Sequence, residues 1–138
     1  METIAQLVKC RANTKRRLTR LRHNLTRELA KDAPSPHYLL RDWQQAERLA
    51  AEINATQARI RDLTEQATSS DVEDRLEQLD KWEFEFDDDL EVLRDARTVL
   101  QRENPSGLAT ADAELEAIAN SSRSSAPQPP PRRPQPLP

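Results

Sequence analysis

Residues 72–100 read VEDRLEQLDKWEFEFDDDLEVLRDARTVL. Within them Val72, Leu76, Leu79, Glu83, Phe86, Leu90, Leu93, Arg97 and Leu100 follow one another in alternating steps of four and three. That period lays these side chains along one seam of an α-helix. Glu73, Asp74, Glu77, Asp80, Glu85, Asp87, Asp88, Asp89 and Glu91 then fall on the outer faces. An apolar stripe on an acidic rod must be buried against other helices. The core of the seam is Leu76, Leu79, Phe86, Leu90 and Leu93.

Two further stripes stand N-terminal to it. Ile4, Leu7, Leu18, Leu21, Leu25 and Leu29 line a first helix over about residues 2–31, with Arg11 and Thr14 in the seam between. Leu39, Trp43, Ala46, Ala50, Ile53, Gln57, Ile60, Thr64 and Ala67 line a second over about 36–68. Pro34 and Pro36 separate the two, with Ser35 as N-cap. The run Ser70-Asp71-Val72-Glu73 has the form of a capping box opening a third helix over 71–103. The cluster Asn104-Pro105-Ser106-Gly107 breaks it. Short connections between long rods make neighbours antiparallel. The expected fold is an antiparallel three-helix bundle or helical hairpin with coiled-coil character over residues 1–104. The alternative is an extended coiled coil whose helices find partners on another chain. Residues 105–138 form a flexible linker with a short helix at 109–119 and a disordered, Pro-rich C-terminal tail.

Composition agrees with helix. The chain has 138 residues, a single glycine, 36% hydrophobic and 33% charged residues, and only 4% aromatics. A core of Leu, Ile and Ala in so charged a chain is thin, and self-association would help it. Polar seam residues Arg11, Gln57 and Glu83 point the same way. The net charge of −3 hides a gradient: residues 1–31 carry +7 and residues 71–104 carry −8.

Little chemistry is supported. One cysteine, Cys10, excludes an intrachain disulfide and a multi-cysteine zinc site, and His23 and His37 make no metal-ligand pair. The carboxylates of residues 83–89 lie on a helical repeat without glycine, so they form a solvated face and no calcium loop. Gly107 alone makes no phosphate loop. No enzyme activity, cofactor or metal is expected. No stretch approaches the roughly 20 apolar residues of a membrane span. With one cysteine and no apolar stretch near Met1, the expected location is the cytoplasm, with the nucleus as the alternative.

Three binding elements remain. Lys9, Lys15, Arg16, Arg17, Arg20 and Arg22 make a basic helix that attracts RNA or another anionic partner. Its competing use is to pair with Asp87, Asp88 and Glu91 of the third helix, and that is the expected one. Trp82 and Phe84 flank the third seam and widen its apolar face; the sharper alternative is a partner site. In the tail, Pro127, Pro130 and Arg132 fit a PxxPxR ligand of SH3-like domains, although a plain linker is the commoner meaning of such composition. The chain stops at Pro138 within that composition, as a piece of something longer would.

Arg11, Lys15, Leu18, Thr19 and Arg20 form the pattern R-x3-K-x2-L-T-R. Ile53, Ile60 and Leu63 follow, then Glu83-Phe84-Glu85-Phe86-Asp87-Asp88 and a Pro/Ser-rich stretch. Over about residues 5–103 this order resembles the N-terminal region of BEL/Pao-type retrotransposon polyproteins. The resemblance implies a Gag-like segment with roles in self-association, genome packaging and particle assembly. Unlike a whole polyprotein, the chain carries no zinc knuckle, protease or polymerase motif. The leading expectation is a non-enzymatic helical assembly module. A cellular coiled-coil adaptor with an SH3-binding tail is second, and a nucleic-acid-binding helical protein third.

Overall fold

In the computed structural model, which describes residues 3–67 and 70–123, four helices follow one another: α1 Ile4–Leu29, α2 Pro36–Gln66, α3 Val72–Glu103 and α4 Pro105–Arg123. Several boundaries have a local cause. Thr3 and Gln6 close a capping box on α1, the Gln6 N–H donating to Thr3 Oγ1 at 3.2 Å and the Thr3 N–H to Gln6 Oε1 at 2.9 Å. Glu28 ties the turn beyond α1, accepting from the Ser35 N–H at 2.7 Å and pairing with Lys31. Pro36 occupies the first turn of α2. The capping box expected at residues 70–73 does not form. Asp71 precedes α3 without a side-chain cap and pairs with Arg75 one turn on at 3.0 Å.

Like α3, α2 touches all three other helices. Its seam of Leu39, Trp43, Ala46, Ala50, Ile53, Gln57, Ile60 and Thr64 is buried as the heptad required. α1 and α3 both run antiparallel to it: Arg11 meets Gln57, and Arg61 meets Asp80 and Glu83. The helices therefore pair within one chain, as the antiparallel bundle predicts.

The core falls into two parts. The larger gathers Leu18, Leu25, Leu39, Trp43, Ile53, Phe86, Leu93 and Leu100, together with Leu108 and Ala111 of α4. The smaller holds Leu7, Ile60 and Leu79 at the other end. Between them lies a polar layer. Arg11 donates to Gln57 Oε1 at 2.6 Å and stacks its guanidinium 4.3 Å from the Trp82 ring centre. Gln57 in turn reaches the Leu79 carbonyl at 3.4 Å. The polar seam residues are thus satisfied inside the chain.

The short helix expected at 109–119 is present as part of a longer one, and residues 105–108, expected to be linker, are helical too. Pro105 starts a helix instead of merely ending one, because Asn104 serves both neighbours. Its N–H donates to the Leu100 carbonyl, and its Oδ1 accepts from the Gly107 N–H at 3.1 Å. The stripe Leu108, Ala111 and Leu115 then seats α4 against the larger core. Arg97 locks it there with two hydrogen bonds to Asp112, 2.7 and 2.8 Å long. Residues 124–138, with the expected disordered tail and Pro127, Pro130 and Arg132, lie outside the described residues.

Candidate functional site

Two heptad registers on α3 share Leu79, Phe86, Leu93 and Leu100. One continues through Glu83, Leu90 and Arg97; the other, one residue earlier, through Trp82, Asp89 and Ala96. Both are used. Glu83 pairs with Arg61 of α2, and Arg97 with Asp112 of α4. On the opposite flank Trp82 meets Arg11 of α1, and Ala96 is fully buried. Asp89, which the sequence pattern set on the outer face, has no exposed surface. Lys15 and Arg22 of α1 clasp it, the Arg22 guanidinium at 2.8 Å from Oδ1. Neither oxygen has a hydrogen-bond partner of good geometry, so charge holds it.

Pairing between the basic helix and α3 is therefore real but made by other residues than expected. Asp87 pairs with Arg94 of its own helix, while Asp88 and Glu91 point to solvent. Of the six candidate cations, Lys15 and Arg22 turn inward. Lys9, Arg16, Arg17 and Arg20 stay exposed and make no ion pair with a described residue.

These outer cations gain a neighbour from α2. Arg17, Arg20 and Leu21 face Arg48, Leu49 and Glu52 across a surface groove of about 320 Å³. Arg48 is exposed and equally without an ion pair. Its part was not legible in the sequence, because it stands alone among apolar and acidic neighbours. The groove has an apolar floor, three guanidinium groups and one carboxylate on its walls.

The other face is α3's. Glu77, Asp80, Lys81, Phe84, Asp87, Asp88 and Glu91 share its solvent side and are all exposed. Phe84 does not widen the core, as its place beside the seam suggested; it is 81% exposed, the most exposed large hydrophobic side chain described. Trp82, by contrast, is half-buried and stacks on Phe86 with ring centres 5.3 Å apart.

A third cluster joins α2, α3 and α4. Glu47 is largely withdrawn from water, and that burial raises its pKa against the opposing pull of Arg97. The hydrogen bonds from Arg97 lower the pKa of Asp112. Arg97 also lies 5.5 Å from the Trp43 ring centre, so the cluster braces α4 on the bundle.

Among the described residues no helix is long and apolar enough to cross a membrane. No family model, curated protein or solved structure matches the chain.

Proposed function

We propose that the chain is a non-enzymatic helical assembly module that joins copies of itself as whole bundles. One observation carries this reading: folding consumes the charges at the helix seams and leaves two faces of opposite sign unused. Lys15, Arg22, Arg61 and Arg97 all find carboxylates on another helix. Among the described residues Arg16, Arg17, Arg20 and Arg48 find none, nor do Glu77, Glu85, Asp88 and Glu91. Like charges one turn apart, such as Arg16 with Arg20 and Asp88 with Glu91, weaken an isolated helix by about 0.2–0.5 kcal/mol each. A sequence that keeps them on both faces is better suited to binding than to stability. The Gag-like role rests on the sequence resemblance alone and agrees with this reading.

Sedimentation of the intact chain over micromolar concentrations, at low and high salt, tests it. Species larger than 15.8 kDa should appear at low salt and recede as salt screens the charged faces. A monomer at every concentration and salt would reject self-association.

A second reading has its own observation. Arg17, Arg20 and Arg48 line one groove and would attract a phosphate backbone. It predicts salt-sensitive RNA retention by a chain that stays monomeric.

A further inference from the structure

Resting on the assembly reading, we propose that copies join head to tail: the Phe84 ridge of one molecule seats in the Arg17–Arg20–Arg48 groove of the next. The two surfaces lie on opposite sides of the bundle. The groove is formed by α1 and α2 alone. α3 meets α1 through Trp82 and Asp89 and α2 through Glu83. Its ridge at Phe84, Asp88 and Glu91 therefore points away from both, and no chain can fill its own groove.

The surfaces match in kind. A lone exposed aromatic residue is ordinary on a protein surface. Here it stands among carboxylates, and the groove offers Leu21 and Leu49 beneath three guanidinium groups. A phenyl ring on that floor would leave Asp88 and Glu91 beside the arginines. Arginine suits both neighbours, pairing with carboxylates through its fork and stacking on aromatic faces. Even the exceptions in sign correspond: the acidic ridge carries Lys81 and the basic groove carries Glu52.

Nucleic acid fits the groove less well. No aromatic side chain lines it for base stacking, and Glu52 would oppose a phosphate. A two-fold dimer through either face would set like charges together. Only a heterologous contact brings ridge to groove, and such contacts continue into rings or filaments.

Complementation tests the arrangement. Phe84→Ala spoils the ridge and keeps the groove; Arg48→Glu spoils the groove and keeps the ridge. Both side chains are exposed, so thermal melting should match the parent chain. If either variant melts early, Asp88→Lys and Arg20→Glu replace them. Each variant alone should lose self-association by about tenfold or more, as expected for an anchor residue. An equimolar mixture should form a discrete heterodimer and grow no further, since one functional ridge and one functional groove remain to meet. Variants that assemble like the parent overturn the ridge-and-groove contact but leave the assembly reading standing. Loss of assembly in both variants and in their mixture overturns the head-to-tail arrangement. A parent chain that stays monomeric overturns both, and retention of an RNA oligonucleotide that Arg48→Glu abolishes would then assign the groove to phosphate.

Discussion

Asp89 is the residue on which α1 and α3 agree, and its surroundings are lopsided. The carboxylate is sealed, whereas the side chains of Lys15 and Arg22 keep 27% and 31% of their surface exposed. Removing the acid lets both cations turn to water; removing the cations strands a buried charge. Asp89→Ala should therefore cost about 1–3 kcal/mol, and Lys15→Met with Arg22→Met more, about 3–5 kcal/mol. Combining all three changes should restore most of the loss, because an apolar replacement of a buried ionic cluster is often neutral. Urea unfolding midpoints of the set measure this directly. By contrast, changing Arg16, Arg17 and Arg20 to Glu should alter stability by only about 0–1 kcal/mol per site. Glu47 supplies a pH signature. Its folded pKa is raised by burial, so the folded state holds its proton more tightly than the unfolded chain. This disfavours the fold increasingly as pH rises from the ordinary carboxylate range through the raised value. Glu47→Gln should accordingly gain on the parent as pH rises through that window and hold the advantage above it. Asp112 acts in the opposite sense: its lowered pKa contributes stability above the ordinary range, lost as pH falls through the folded value. Thermal melts of Glu47→Gln from pH 4 to 7 that run parallel to the parent would contradict the assignment.

At the scale of the elements, periodicity made most of the fold legible. α2 buries its heptad nearly residue for residue. α3 shows where periodicity runs out. Leu90 drew the seam toward Glu83 and Arg97, and in the run Asp87-Asp88-Asp89 no local feature marks the third acid as buried. Only the facing Lys15 and Arg22 decide it, and they lie on another helix. The groove escaped for the same reason, needing α1 and α2 side by side before Arg48 meets Arg17 and Arg20. α4 was underestimated because a proline after a helix is also a good first residue of the next. The corner is tight: a Cβ on Gly107 would stand 2.8 Å from Asn104 Cγ and 2.9 Å from its Oδ1. Asn104→Ala should cost about 0.5–2 kcal/mol through the lost cap. Gly107→Ala should displace that cap in the parent chain, yet stabilise the Asn104→Ala background by up to about 1 kcal/mol through helix propensity. The coupling between the two, read from a double-mutant cycle of melting data, should be clearly non-zero.

For the molecule as a whole, the polar layer at Arg11, Gln57 and Trp82 divides the core unequally. The end holding Leu7, Ile60 and Leu79 has few apolar partners and should open locally before the rest. Amide hydrogen exchange should therefore be faster around those three residues than around Leu25, Trp43 and Leu93. The clasp on Asp89 adds a consequence in time. α1 and α2 can meet as soon as their short connection allows, whereas Lys15 and Arg22 must wait for α3 to dock from two helices further along the chain. Closing so distant a contact is slow, and stripping water from a carboxylate gains nothing until both cations are in place. The clasp should thus be absent from the rate-limiting encounter and complete only on its native side. In kinetic terms Asp89→Ala should speed unfolding and leave the folding limb nearly untouched, a φ-value near zero. The salt bridges that join the first helix to the third would then act as a latch, setting how long a folded molecule lasts and having little to do with how soon it forms.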